Sequence, residues 1–220
     1  MSSLKVMSTL AVELALKSAL LPAWEGDVEM EWSPTGVLLE RVRSGERGDV
    51  LIAIDAPIAE LLAQGVLRAG SVRPLARASF GLGVKRGAPV PDISTPERFE
   101  RVLVGARSVA VSQTGASGIH FRDVLERLDG TVNTTVIHAG FTADKVIAGE
   151  ADLAVQQVSE LMSIDGIEVV GPFPEPYQKH TDFSAAVFSD SAAPELAQAF
   201  VDHLSAGAEV YARCGLEPRT

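Results

Sequence analysis

The sequence predicts an α/β protein with two lobes, in which each lobe is a mixed sheet flanked by helices and a ligand cleft lies between the lobes. Three observations lead to this prediction. Short apolar runs alternate with longer helical patterns, this alternation occurs twice, and a segment rich in Pro and Gly separates the two sets. A chain of 220 residues with 46% hydrophobic residues is also long enough to fill a core of this size.

The first set of elements follows a strand–helix order. Its strand-like runs are LKVMS, VEMEWS and DVLIAID, and its helical patterns are AVELALKSALLPAW, GVLLERVRSG and APIAELLAQGVL. This order favours a parallel sheet, because parallel neighbours need a long crossover connection that a helix supplies.

The second set begins after RPLARASFGLGVKRGAPVPDIST. It repeats the alternation in the segments TPERFERVLVGA, SVAVSQ, GASGIHFRDVLERL, TTVIHAGFTADKVIAGEA, DLAVQQ and IEVVGPFP. TDFSAAVFSD then reads as a strand leading back, and APELAQAFVDHLSAGAEVYARCG as closing helices. We therefore expect lobe 1 to comprise residues 1–80 and 184–220 and lobe 2 to comprise residues 81–183. Hinge closure is expected at residues 78–84 and 183–188.

Charge and composition restrict the partners. The net charge of −10, without any cluster of Lys and Arg, argues against nucleic acid and against an anionic membrane surface. Four scattered His and one Cys give no metal-ligand spacing, so neither a metal nor another cofactor is expected. A small anion remains compatible, because local N–H groups and hydroxyls hold anions in proteins that are acidic as a whole.

The N-terminal residues MSSLKVMST lack the basic and apolar regions of a signal peptide, so the chain as written is expected in the cytoplasm. It would be periplasmic if a leader had been removed. No apolar run reaches the roughly 18 residues that span a bilayer, so no membrane insertion is expected.

Polar residues mark the junctions between the strands and helices of the first set. Ser8 or Thr9, Ser33 or Thr35, and Asp55 stand where strands run into helices. These residue types cap helices, and the same junctions are where open α/β sheets bind ligands.

The order of elements and the residues at the junctions resemble the type II periplasmic-binding-protein fold, specifically the molybdate-binding family of solute-binding proteins. The segments that carry the resemblance are LKVMSTLAVELAL, EWSPTGVLLERVRSGERGDVLIA, RASFGLGVKRGAP, VAVSQTGASGIHFRDVLERL, VIAGEADLAVQQVSELMSIDGIEVVGPFP and DFSAAVF. The resemblance implies that hydroxyls and backbone N–H groups at helix starts hold an oxyanion such as molybdate or tungstate without a countercharge. The donors that it implies are Ser8, Thr9, Thr35 and Gly36 in the first lobe and Ser117, Gly118 and Thr142 in the second.

The sequence departs from the family at Gln157, where molybdate binders tend to have a tyrosine. A Gln amide both donates and accepts, which argues against molybdate and leaves organic carboxylates open. Gln156 and Gln157 point to opposite faces of a strand, and the resemblance favours Gln157 as the ligand residue. Arg77, Lys179 and His180 are the cations nearest the predicted hinge, and they would pair with the charges of a di- or tricarboxylate.

Two functions follow from this reading. The first is binding of a small anion in the cleft, with the permease of an ABC transporter as partner only if the protein is exported. The alternative is an isomerase similar to aconitate isomerase that interconverts cis- and trans-aconitate or a related unsaturated polycarboxylate. For that reaction His138 and His120 are the candidate bases.

Overall fold

The structure is a computed structural model that describes residues 3–138 and 140–219. The chain divides into two compact units. Unit 1 contains the described residues up to Ala78 and from Thr181 onwards, and unit 2 contains the described residues from Ser79 to His180. No helix in the described part of the chain is both long and apolar enough to cross a membrane.

Strands and helices alternate along most of the chain, as the pattern of apolar runs predicts. The first helical segment, α1, combines a 3₁₀ turn, an α turn and a π turn. The elements are β1 (Leu4–Ser8), α1 (Leu10–Val12, Glu13–Ala15 and Leu16–Leu20), β2 (Val28–Trp32), α2 (Thr35–Arg43), β3 (Val50–Ile54), α3 (Asp55–Ala63), β4 (Arg73–Lys85), α4 (Pro96–Gly105), β5 (Val109–Ser112), α5 (Ala116–Leu125), β6 (Thr134–Ile137), α6 (Thr142–Ile147), β7 (Leu153–Gln157), α7 (Val158–Met162), β8 (Ile167–Pro172), β9 (His180–Val187), α8 (Pro194–Ser205), α9 (Ala208–Arg213) and β10 (Leu216–Pro218).

In unit 1, the central strand β1 pairs in parallel with β2 on one side and β3 on the other. Strand β9 adds to β3 in the antiparallel direction. Leu4 and Val6 of β1 pack against α1, α8 and α9, whereas Met7 packs against α2 and α3. Both faces of the sheet are covered because side chains alternate along a strand and the strands are apolar on both sides.

Unit 2 repeats this arrangement. The central strand β5 pairs in parallel with β6 and β7, and β4 adds to β7 in the antiparallel direction. Strand β8 pairs with β4 and has a register shift between Leu82 and Gly83. Helices α4 and α5 cover one face of the sheet, and α6 and α7 cover the other. The prediction of an α/β fold with mixed sheets flanked by helices is therefore confirmed.

The carboxyl ends of the three parallel strands meet at one edge of each sheet, which we call the carboxyl edge of that unit. In unit 1 it comprises the residues that follow β1, β2 and β3, where α1, α2 and α3 begin. In unit 2 it comprises the residues that follow β5, β6 and β7, where α5, α6 and α7 begin. Ligands of open α/β sheets bind at such edges, so these two sets of residues are the candidate sites.

Candidate functional site

The predicted ligand residues all lie at the carboxyl edges of the two units. Ser8, Thr9, Thr35 and Gly36 belong to the edge of unit 1. The edge of unit 2 contains the other four predicted ligand residues and one predicted base, namely Ser117, Gly118, Thr142, Gln157 and His138. Their hydrogen bonds within each unit distinguish the side chains that are free to bind a ligand from those that are not.

Two threonine hydroxyls meet at the edge of unit 1. The Thr35 Oγ1 donates to the Thr9 Oγ1 over 3.1 Å, and the Thr9 side chain is buried. Thr9 accepts this hydrogen bond and still has its own O–H to donate. Ser8 differs, because its hydroxyl donates to the Thr9 carbonyl at 3.1 Å and so serves the fold.

Helix α2 begins without a side-chain cap. Its first intrahelical hydrogen bond runs from the Leu38 N–H to the Pro34 carbonyl, and Pro34 provides no cap. The N–H groups of Thr35, Gly36 and Val37 therefore have no partner within the helix. Three parallel donors beside the Thr9 and Thr35 hydroxyls suit a small anion.

Helix α5 in unit 2 begins in the same way. Its first intrahelical bond runs from the Ile119 N–H to the Gly115 carbonyl, and Gly115 has no side chain to cap the helix. The N–H groups of Ala116, Ser117 and Gly118 are therefore left over. The Ser117 hydroxyl has no hydrogen-bond partner among the described residues either, although the residue is buried.

Helix α4 begins with a side-chain cap, unlike α2 and α5. Its N-cap residue Thr95 accepts a hydrogen bond from the Arg98 N–H at 3.3 Å, and Pro96 occupies the first helical position. This helix does not begin at a carboxyl edge. Helices α8 and α9 begin away from the carboxyl edges and also lack a side-chain cap, so an uncapped start indicates an anion site only where hydroxyl groups lie beside it, as at α2 and α5.

Thr142 is held within unit 2. Its single hydroxyl proton is shared between the Gln156 Oε1 at 2.8 Å and the Val155 carbonyl at 3.1 Å, and its N–H also donates to the Gln156 Oε1 at 3.1 Å. Gln156 therefore uses its side chain to anchor the start of α6. Both donors of Thr142 are already used, which leaves it only its oxygen lone pairs for a ligand.

Gln157 lies on the other face of β7 and caps α7. Its N–H donates to the Glu160 Oε2 at 3.4 Å, and the two residues form a capping box. The side chain is buried, and apart from the capping box no hydrogen bond from a described residue reaches its Oε1. Gln157 faces the same side of the sheet as Phe80, its cross-strand neighbour on β4.

Sequence reasoning missed Ser159, in the first turn of α7 at the edge of unit 2. The residue is 1% exposed and its hydroxyl has no hydrogen-bond partner among the described residues. A buried hydroxyl without a partner costs free energy, so such a group points to a missing acceptor. The signal in the sequence was a hydroxyl residue close to the end of a strand: Ser159 lies two positions after β7, whereas Thr9 and Thr35 lie one and three positions after β1 and β2.

His120 is part of the core of unit 2. Its ring stacks on Phe80 with centroids 5.1 Å apart, and its Nε2 lies 2.7 Å from the Tyr177 carbonyl. Because a carbonyl only accepts, Nε2 carries the proton and the buried Nδ1 is left as an acceptor without a partner. His120 is 7% exposed, which makes it a poor candidate for exchanging protons with a ligand.

His138 is exposed at the carboxyl edge of unit 2, just after β6. Its Nδ1 forms a hydrogen bond with the Oε1 of Gln113, a residue that follows β5. An amide oxygen only accepts, so Nδ1 carries the proton and Nε2 offers its lone pair to solvent or to a ligand. Gln113 thereby fixes the tautomer that a base requires.

The cations that were predicted near the hinge have different surroundings. Arg77 forms a two-pronged ion pair with Asp182, with N···O distances of 2.6 and 3.0 Å, and this contact raises the pKa of the Arg77 guanidinium. Arg219 pairs with Asp55 at 2.9 Å in the same unit. His180 shares a hydrogen bond with the Ser79 hydroxyl at 3.2 Å. Arg77 is therefore already neutralised and offers little to a ligand carboxylate.

A family of known proteins matches most of the chain. The family model described as bacterial extracellular solute-binding protein covers residues 22–217. An aconitate isomerase from Pseudomonas sp. is 34% identical over 185 residues, which are 81% of this chain and 70% of that protein.

Solved structures have the same fold. The periplasmic molybdate-binding protein of Azotobacter vinelandii superposes with a TM-score of 0.76 at 16% identity, covering 99% of this chain and 100% of the other. The sulfate-binding protein SubI of Mycobacterium tuberculosis H37Rv gives a TM-score of 0.70 at 15% identity, covering 99% of this chain and 87% of the other. At such low identities these likenesses establish the fold and not the ligand.

Proposed function

Since the chain belongs to the bacterial extracellular solute-binding protein family, we propose that it binds a small anion, an organic carboxylate or an oxyanion, through the donors at its carboxyl edges. The observation that supports the proposal is the pair of uncapped helix starts, at α2 beside the hydroxyls of Thr9 and Thr35, and at α5 beside Ser117. Each start offers three N–H groups that have no hydrogen-bond partner within the helix or elsewhere among the described residues.

The strength of such a site comes from hydrogen bonds to a charged acceptor. Each is worth about 1.5–3 kcal/mol, and so the loss of one weakens binding by roughly 10- to 150-fold. The Thr9 hydroxyl accepts from Thr35, and a hydroxyl that accepts a hydrogen bond becomes a better donor. Thr9 is therefore the side-chain donor of unit 1 that we expect to contribute most.

An aconitate isomerase activity is the second candidate, and two observations favour it. One is the 34% identity to an aconitate isomerase, and the other is the free Nε2 of His138. In this reaction the base takes a proton from the methylene carbon next to a carboxylate. The double bond moves by one position as the electron pair spreads over the conjugated carbons, and the proton returns to the carbon at the far end. Donors at the helix starts would stabilise the negative charge that develops on the carboxylate oxygens.

Thermal-shift titrations with molybdate, tungstate, sulfate and a panel of di- and tricarboxylates test the binding proposal. We expect at least one of these anions to raise the melting temperature in a saturable way. Thr9→Val and Ser117→Ala should each weaken binding of that anion by about tenfold or more. Thr131→Val alters an exposed threonine before β6, away from the carboxyl edge of its unit, and should leave binding unchanged. Unchanged binding in both edge variants would refute the proposal.

The isomerase candidate is tested by NMR of trans-aconitate incubated with the protein. His138→Asn keeps a side-chain donor for Gln113 but has no basic nitrogen, so turnover should fall by about 100-fold or more while binding persists. His120→Gln keeps a donor for the Tyr177 carbonyl and should retain turnover. Absence of conversion by the unaltered protein, or stabilisation by tungstate alone, would remove this candidate.

The family description also supports a location outside the cytoplasm and a transporter permease as partner. We propose both for the product of the gene that encodes this chain. Fractionation of cells that express that gene tests the location, and recovery of the protein with the cytoplasmic marker would refute it.

A further inference from the structure

Unit 2 contains a cavity of about 550 Å³ that is separate from its carboxyl edge. The cavity lies at the opposite edge of the sheet, where β4 ends and where β5 and β7 begin, and it is bordered by the last turn of α4. We propose that it binds a small amphipathic monocarboxylate, with the hydrocarbon part inside and the carboxylate at the rim. This proposal does not depend on the proposed function.

The inner surface of the cavity is apolar. Val84, Val146 and Leu153 form part of it and are almost fully buried. Pro89 and Pro91 add a wall whose backbone has little freedom to collapse. The volume is within the range of small-molecule pockets, roughly 300–1,000 Å³, which bury most of a ligand's surface in apolar contacts.

The rim is positively charged although the protein as a whole is acidic. Lys85, Arg101 and Arg107 line the cavity, and Asp152 is the acidic residue that lines it with them. Arg107 is neutralised by Asp152, with an N···O distance of 3.0 Å. Lys85 and Arg101 remain as two charges without a carboxylate partner among the lining residues.

Helix ends near the cavity offset part of this charge. The Lys85 Nζ donates to the Ile147 carbonyl at the end of α6, and Arg107 donates to the nearby Gly149 carbonyl. A helix carboxyl end carries roughly half a negative charge, so the ends of α4 and α6 together offset about one of the two charges. Glu97, four residues before Arg101 on α4, also interacts electrostatically with Arg101, so at most about one positive charge remains, which suits a monocarboxylate better than a polycarboxylate.

Arg101 is the residue best suited to receive the carboxylate. Among the described residues it makes one hydrogen bond, from its Nε to the Glu97 carbonyl at 3.2 Å, so both terminal nitrogens of its guanidinium keep their donors. Guanidinium groups bind carboxylates through two parallel hydrogen bonds. Lys85, tied to the end of α6, supplies a point charge on the same rim.

Octanoate is the probe for the test, with octanol and octylamine as the uncharged and the cationic analogue. NMR titration of the full chain should show saturable shifts at Val84, Gly105 and Leu153, and octanol and octylamine should bind more weakly by about tenfold or more. Gly105→Trp should abolish binding, because a Cβ at Gly105 meets nothing within 4 Å and the indole would fill the cavity without strain. Val104→Trp changes an exposed neighbour on the same helix that does not line the cavity, so it serves as the size control.

Charge reversal at the rim provides the second variant. Arg101→Glu should weaken octanoate binding by about tenfold or more, whereas Arg213→Glu, which makes the same change of net charge at an exposed residue of unit 1, should not. Equal affinity for octanol and octanoate would overturn the proposal, as would binding that survives Gly105→Trp. If octanoate does not bind, the proposal is also overturned. If Gly105→Trp then changes the oligomeric state, the cavity is instead a contact between copies of the chain.

Discussion

Gly36 and Gly118 were predicted as equivalent ligand glycines, and substitution by Ala should affect them in opposite ways. A Cβ built on Gly36 meets nothing within 4 Å, whereas a Cβ built on Gly118 lies 1.7 Å from the Ser112 carbonyl oxygen. The start of α5 therefore lies directly against the end of β5. An ordinary C···O contact is about 3.3 Å, so Gly118→Ala would force the helix start to move by about 1.6 Å.

The expected magnitudes follow from this geometry. The clash involves a backbone oxygen, which no side-chain rotation relieves, so Gly118→Ala should cost about 3 kcal/mol, the upper end of the usual range for overpacking. At about 2–4 °C per kcal/mol for a chain of this length, the melting temperature should fall by about 6–12 °C. Gly36→Ala should instead stabilise the protein by about 0.5–1 kcal/mol, because alanine favours helix and the site has room for its methyl group.

Circular dichroism melting of the two variants beside the unaltered protein measures the effect on stability. Ligand titration of the same samples measures the effect on the site. Gly118→Ala displaces the N–H groups of α5 and should weaken binding by about tenfold or more, while Gly36→Ala keeps its N–H and should stay within about threefold. A Gly118→Ala protein that melts like the unaltered one would refute the close packing of α5 on β5.

Three further predictions concern other residues. Thr142→Val should lower the free energy of unfolding in denaturant titrations by about 1–3 kcal/mol, because the hydroxyl that binds Gln156 is buried. An unchanged free energy of unfolding would contradict that anchoring role. Ser159→Ala removes a buried hydroxyl without a partner among the described residues, so it should leave the free energy of unfolding unchanged or raise it by up to about 1 kcal/mol. The same variant should weaken anion binding. A clear loss of stability would show that the hydroxyl is bonded within the fold. The hydrogen bond from Arg41 lowers the pKa of Glu46 to about 2, below its ordinary value of 4.5. The stability that this carboxylate contributes is therefore present above pH 4.5 and is lost as the pH falls through about 2. The difference in melting temperature between the unaltered protein and Glu46→Gln should therefore be largest at neutral pH and disappear near pH 2, and a difference that does not vary with pH would exclude the ion pair as its source.

The sequence was sufficient to predict the fold class and the position of the candidate residues. Alternation of apolar runs with helical patterns is a local property, and it requires crossover helices and a parallel sheet. Because parallel strands bring their carboxyl ends to one edge, polar residues that follow β1, β2, β5 and β6 were expected at such edges, where the structure places them.

The tertiary structure alone determined which of those residues are free to act. Ser8 and Thr142 look like Thr9 and Ser117 in the sequence, but each donates its hydroxyl within its own unit. The partner of Thr142 is 14 residues away.

The same holds for the two histidines. His138 and His120 were both candidates as bases, yet His120 binds a carbonyl 57 residues away in a packed core and His138 is exposed. The hydrogen-bond partner of a polar group is chosen by the residues that packing brings next to it. For Thr142 and His120 no local pattern records that choice, because their contacts join segments 14 and 57 residues apart in the chain.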